Sequence, residues 1–363
     1  MKLLQSLFVA GSMLSGVAQA QWTMQSAPTT ADLRGIDNVG DGVVWASGSG
    51  GTVLHSVDGG KTWLRCATPP NAETLDFRGV QAFDAQRAVV MSSGKGDLSR
   101  VYATKDACGV WVLVAENPDP DGFWDSLVKV SPHAPSNLLV LGDPVDKKFP
   151  LFVVEAWPEP YLNRIMQVPA QDGEAAFAAS NSSLFNINTS YGWWILTGGP
   201  KGARVIRPTV HGITDEMGWT TYPSASVPLG TKTDSSGGFS IQLREDGVEF
   251  LHGVAVGGDY KAPDTRSSTA AFTIDGGKKW AIPATLPSGY RSAVAYDLAT
   301  KSWITVGPNG TDVSTDDGRN WRALRPAAGD AADADKSWNA LSLPFVVGPK
   351  GRIGVLNSDR ARQ

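Results

Sequence analysis

Ser56-Val57-Asp58-Gly59-Gly60-Lys61-Thr62-Trp63 is the stretch on which the fold turns. Its pattern is a hydroxyl residue, then an aspartate, a glycine and a tryptophan at fixed places. The pattern returns with the same spacing in Thr273-Ile274-Asp275-Gly276-Gly277-Lys278-Lys279-Trp280 and in Ser314-Thr315-Asp316-Asp317-Gly318-Arg319-Asn320-Trp321. A damaged copy, Thr104-Lys105-Asp106-Ala107-Cys108-Gly109-Val110-Trp111, keeps Thr104, Asp106 and Trp111 but puts Cys108 in the glycine place. These residue types suit a hairpin turn. An aspartate accepts backbone N–H groups within the turn, Gly60, Gly277 and Gly318 can adopt a positive φ, and Trp63, Trp280 and Trp321 bury a large ring beside it. A metal-binding or acid role for Asp58, Asp275 and Asp316 is the weaker alternative, because the turn already accounts for them.

Working outward, a second pattern recurs ahead of each turn: an aromatic residue or leucine, a variable residue, a small residue, then an apolar one. Its seven occurrences begin at Leu33, Phe77, Trp124, Phe177, Phe239, Tyr290 and Trp338, at intervals of 44, 47, 53, 62, 51 and 48 residues. Those intervals fit a propeller blade of roughly 40–50 residues with loop insertions. Apolar runs ending in glycine, such as Leu138-Leu139-Val140-Leu141-Gly142 and Ile304-Thr305-Val306-Gly307, read as strands covered on both faces. The expectation is an all-β, seven-bladed β-propeller of four strands per blade, with the repeated turn between the third and fourth. Damaged outer ends are expected near Trp157 and Trp219. The seventh repeat lacks a final strand, so Gln21-Trp22-Thr23-Met24 should complete it and close the ring. Six blades, omitting the weak fourth repeat, is the alternative.

Composition agrees. Among 363 residues there are 40 Gly, 23 Pro and 13 Trp, which suits short strands and tight turns rather than helices. The net charge of −4 gives no basis for nucleic-acid binding. Residues 1–20 read as a signal peptide: Lys2, an apolar stretch from Leu3 to Val17, and an Ala18-Gln19-Ala20 cleavage site. Residues 21–363 are then the mature propeller domain, expected to be periplasmic or secreted, monomeric, and without a membrane span once the leader is removed. In an oxidising compartment Cys66 and Cys108 could bridge neighbouring blades, or remain two inert thiols. The four histidines, His55, His133, His211 and His252, are scattered in sequence and suggest no zinc site. Two acidic loops, Asp119-Pro120-Asp121 and Asp330 with Asp333 and Asp335, could hold a hard cation through oxygen ligands, but neither matches a calcium loop with its distant Glu, and solvated loops are the preferred reading. No cofactor and no metal is expected.

In a propeller the inner-strand starts and the turns between second and third strands open on one face. The variable residue of each start should therefore ring the channel mouth: Arg34, Arg78, Asp125, Ala178, Ser240, Arg291 and Asn339. Arg34, Arg78 and Arg291 would span one arc, and guanidinium groups offer planar donors for carboxylate or phosphate. The candidate binding residues are Arg34, Arg78, Arg291, Asp125 and Asn339. Capping of the blades by the same arginines, against carbonyls or Asp32, Asp76 or Asp125, is the competing account. The b–c turns of this face include Gly142-Asp143-Pro144 and Gly258-Asp259-Tyr260-Lys261.

The repeated turn is similar to the Asp box of BNR-repeat propellers. The chain resembles that superfamily over nearly its whole mature length, and within it is most similar to photosystem II stability/assembly-factor-like propellers, by its export signal, seven repeats, short loops, G-G-K-x-W turns and arginines on one face. That resemblance implies a non-catalytic scaffold binding an envelope or secreted protein partner, or a small anionic ligand, with no photosystem role carried over. The sialidase-like glycoside hydrolases share the repeat and are the alternative. Phe77-Arg78-Gly79-Val80 resembles their arginine motif by position but lacks its Ile-Pro, and no tyrosine–glutamate pair stands at a matching place. Asp125 would be the acid, with Tyr290 or Tyr260 the nucleophile. Sugar hydrolysis needs a placed acid and a nucleophile or base, so the non-catalytic reading is preferred.

Overall fold

The computed structural model describes residues 21–357 apart from 132–133, 187–191, 208, 211–218, 222 and 246–250. The leader reading of residues 1–20 lies outside the described residues, as do His133 and His211. Seven antiparallel sheets follow one another around a ring. Blade one comprises Leu33–Gly40, Val43–Gly48, Thr52–Ser56 and Leu64–Arg65. Blade two comprises Phe77–Ala82, Ala88–Ser92, Arg100–Thr104 and Val112–Glu116. Blade three comprises Trp124–Ser131, Ala134–Gly142, Lys148–Glu155 and Tyr161–Pro169. In blade four the strands are Leu184–Asn186, Trp193–Leu196, Ala203–Ile206 and Ser224–Val227. Blade five has Ser236–Glu245, Leu251–Asp259 and Ala270–Thr273, its fourth strand reduced to a bridge between Phe272 and Ala281. Blade six has Ala293–Asp297, Ser302–Gly307, Gly310–Ser314 and Arg322–Ala323.

Blade seven closes the ring. Its strands Ala340–Ser342, Phe345–Val347 and Ile353–Leu356 are completed by Trp22–Gln25, with Trp22 opposite Leu356 and Gln25 opposite Ile353. The N–H groups of Gln21 and Trp22 both donate to the Asp330 carboxylate at 3.1 Å, so one acid of the expected solvated loop holds the closing strand. The Trp22 ring stacks on Trp338 at 5.7 Å. The six-blade alternative is set aside: Leu184–Asn186 begins a genuine fourth blade, with a short side hairpin, Thr209–Val210 and Trp219–Thr221, in place of its turn.

The core lies between blades rather than within a central mass. Each of the seven buried apolar clusters joins two neighbours, as Trp45 and Val53 of blade one meet Phe77 and Val90 of blade two. This is why the second strands read as continuous apolar runs: both faces of each sheet are covered.

The repeated turns share one hydrogen-bond scheme. In blade one the Ser56 hydroxyl donates to Asp58 Oδ1 at 2.9 Å, Gly60 N–H donates to Ser56 Oγ at 3.0 Å, and Thr62 N–H donates to Asp58 Oδ1 at 2.9 Å. Thr273–Asp275 and Ser314–Asp316 repeat it. So does the damaged Thr104–Asp106 copy. The donors, led by Thr62, hold the Asp58 carboxyl down at about 2, so it is an acceptor in the turn and not an acid in waiting.

The glycine place of the turn faces the preceding blade. A Cβ on Gly60 would come 2.7 Å from the Phe345 ring, and one on Gly277 would come 2.2 Å from the Trp194 ring. Cys108 occupies this place at φ 70° and uses its side chain to reach that blade, forming a disulfide with Cys66 across a Cα separation of 5.4 Å. The inert-thiol alternative is thereby removed.

Candidate functional site

A cavity of about 550 Å³ opens at one end of the channel, lined by residues of all seven blades. The a–b and c–d turns lie at the other end, where Gly59 N–H donates to Gly42 O at 2.9 Å. The expected separation of turns from mouth therefore holds.

A backbone device brings side chains into this cavity. In blades one, two, three and five the inner strand skips one residue near its start when it pairs with its neighbour: Leu33 faces Gly48 and Gly35 faces Ser47, so Arg34 is left over. The same skip leaves out Arg78 between Phe77 and Gly79, Asp125 between Trp124 and Ser126, and Phe239 between Gly238 and Ser240. A β-bulge re-aims its extra side chain, and all four bulge residues line the cavity.

Two of the expected rim positions need correction for this reason. In blade five Phe239, not Ser240, is the bulge residue; Ser240 is fully buried and accepts a hydrogen bond from Ser182 Oγ at 2.7 Å. In blade six the described inner strand begins at Ala293, paired with Val306, without a bulge. Ser292 and Tyr290 then face the cavity, and Arg291 falls in the core place that Leu33, Trp124 and Trp338 fill elsewhere. Arg291 is fully buried. Its Nε donates to Asp312 at 2.9 Å, its Nη2 donates to the same carboxylate, and its Nη1 donates to Asn309 Oδ1 at 2.6 Å and to Tyr290 O at 2.8 Å. It is not part of the mouth. Asn339 does line the cavity and donates across the seam to Leu33 O at 2.8 Å.

The remaining arginines differ from each other. Arg78 is half-buried, with Nε paired to Asp76 at 2.8 Å and Nη1 donating to Ala178 O at 3.2 Å. This is the capping arrangement, achieved while the side chain still lines the cavity. Arg34 Nε is buried with no hydrogen-bond partner among the described residues. Burial, and then the neighbouring Arg78 guanidinium, push the Arg34 pKa below its ordinary value, although an arginine remains charged. Buried polar groups in native proteins are nearly always satisfied by protein, water or ligand.

Blade three contributes acids. Asp125 is 1% exposed and its Oδ2 has no partner among the described residues. Asp143, a turn residue that sequence reasoning did not place in the site, lines the same cavity and accepts from Ala176 N–H at 2.9 Å. Burial, and then repulsion by Asp143, lift the Asp125 carboxyl well above the usual range, against the pull of Arg78. Burial pushes Asp143 up to about 7.

Blades four to six supply an aromatic wall. The Phe177 and Phe239 rings stack at 4.0 Å, and Tyr290 meets Phe239 edge-on at 4.8 Å. The half-exposed Tyr260 ring stands edge-on to Phe239 at 6.2 Å. Burial raises the Tyr290 hydroxyl above its ordinary value, with Arg34 opposing. The aromatic repeat starts were legible in sequence, but nothing in a single sequence separates a ring packed in a blade from one turned into the channel.

No family model matches the chain, and neither does any curated protein. Solved structures do. One described as YCF48 bound to D1 peptide has TM-score 0.60 and 15% identity, covering 93% of this chain and 96% of that one. Another, YCF48 from Cyanidioschyzon merolae, has TM-score 0.55 and 16% identity over 94% of this chain and 100% of that one. The WD40 β-propeller domain of Doa1 has TM-score 0.53 and 11% identity over 95% and 99%. At such identities the likeness is one of fold.

Proposed function

We propose that the chain is an exported, non-catalytic propeller that binds a protein partner, or a small anionic ligand, at the channel mouth through Arg34 and Arg78. The observation that carries this is the buried Arg34 Nε, which has no partner among the described residues, in a cavity formed jointly by every blade. A guanidinium desolvated for no structural return is costly, and an incoming carboxylate or phosphate would satisfy it with parallel hydrogen bonds. The fold neighbour described as bound to a D1 peptide supports a peptide-sized occupant by analogy. Export to the periplasm or beyond is supported by the leader pattern of residues 1–20 and by the disulfide. The Asp-box reading of the repeated turns belongs with this proposal as a resemblance of motif, and a monomeric ring with residues 21–363 as its domain accompanies it.

The test is affinity capture from the native envelope with the wild type and an Arg34→Ala/Arg78→Ala double variant. Arg291 is left intact, since it serves the core. Capture by the wild type alone, with both proteins equally folded, supports the reading; equal capture rejects it. Turnover of a sialoside or other glycoside panel, lost on Asp125→Asn, would replace it with the hydrolase alternative. Against that alternative, the Tyr290 hydroxyl is driven toward its neutral form, the reverse of what a nucleophile needs.

A further inference from the structure

The acids of blade three have no place in a purely anion-binding mouth. An anion drawn to Arg34 and Arg78 would also meet Asp125 and Asp143 in the same cavity. Asp125 faces Arg78 from blade two and Asp143 from its own blade; Arg34 of blade one and the exposed Asp234 of blade five complete the charged lining. The cavity thus holds a buried acceptor and a buried donor, Asp125 Oδ2 and Arg34 Nε, that have no partner among the described residues. The third wall is the stacked Phe177–Phe239 pair with Tyr290. One pole of each sign beside an apolar wall is the complement of a molecule that carries both charges and an apolar body.

We infer that the cavity binds a small zwitterion of the amino-acid type, with its carboxylate on Arg34 and Arg78, its ammonium on Asp125 and Asp143, and its side chain on the aromatic wall. The inference rests on reading the mouth as a binding site and commits it to a small ligand with both charges. A volume of about 550 Å³ accommodates an aromatic amino acid or a dipeptide. Burial and the repulsion between the two carboxyls outweigh the pull of Arg78, so without a second cation beside it the pair retains a proton near neutral pH. An arriving ammonium takes over that role. The pair ionises, the proton leaves to solvent, and charge balances. An anion without an ammonium would keep the proton in place.

Calorimetry on the mature chain at pH 7 tests this with three matched probes: L-phenylalanine, 3-phenylpropionate with the anion only, and 2-phenylethylamine with the cation only. L-Phenylalanine should bind at least about tenfold tighter than either. Its heat should differ between two buffers of unequal ionisation enthalpy, with the sign of proton release. Asp125→Asn, and separately Asp143→Asn, should reduce the preference to about twofold while circular dichroism shows an intact fold. The buffer comparison needs no variant and stands if either fails to fold. Equal binding of 3-phenylpropionate, proton uptake, or no L-phenylalanine binding at millimolar concentration overturns the inference. Partner capture dependent on Arg34 and Arg78 would then still leave the broader proposal standing, and its loss as well would remove both.

Discussion

Arg291 and Asp312 form a fully buried ion pair inside blade six, in the core place that leucine or tryptophan occupies in other blades. Desolvating the pair is offset only while both partners are present. Arg291→Ala should therefore lower unfolding free energy by roughly 3–5 kcal/mol. The double variant Arg291→Met/Asp312→Leu should recover most of that loss. Urea denaturation of the three proteins reads both values, and an Arg291→Ala protein as stable as wild type would contradict the account.

Arg34 should behave in the opposite way. Its Nε satisfies nothing in the described structure, so Arg34→Ala should leave the melting temperature within about 2 °C of wild type or raise it. The same change should weaken partner or anion binding by at least about tenfold, as expected for a lost charged hydrogen bond. Melting curves and titrations on one preparation separate the two effects.

The acid pair predicts a pH dependence of defined sign. Folded-state carboxyls lifted above their unfolded values contribute stability that is complete below the ordinary carboxylate range and lost as pH rises. For Asp143 the loss runs through about 7. The gain in melting temperature from Asp143→Asn should accordingly be small at pH 5 and roughly 2–5 °C at pH 8. A gain that is larger at pH 5 would show that the carboxyl is not raised.

The Cys66–Cys108 bond should contribute about 2–4 kcal/mol. In a Cys66→Ala background, Cys108→Gly should be more stable than Cys108→Ala, because the backbone there sits at φ 70°. Comparing the two double variants by denaturation isolates the backbone term. Equal stabilities would mean that the left-handed conformation is abandoned once the bond is gone.

The fold was legible because its signals are local and repeated. Ser56–Trp63 and its copies need only their own residues to form the turn, and the seven starts carry the period. The position of Asp125 at the mouth followed from the same period. Arg291 escaped because its direction depends on a bulge, and a bulge is a property of the pairing with Val306 and its neighbours rather than of the residues Tyr290-Arg291-Ser292. Asp143 escaped because its meeting with Asp125 depends on how the turn after Gly142 folds back over the strand start. Ser240 and Phe239 exchanged roles for the same reason as Arg291, a shift of one residue that reverses which face a side chain takes.

Trp22–Gln25 and Ile353–Leu356 are neighbours in one sheet although they lie at opposite ends of the described chain. That pairing can form only after the last blade has been synthesised. The inner wall of the mouth includes Trp338 and Asn339 from the blade this pairing completes. The cavity is consequently complete only once the ring has closed. A chain halted before its last blade would present its repeats without an intact cavity.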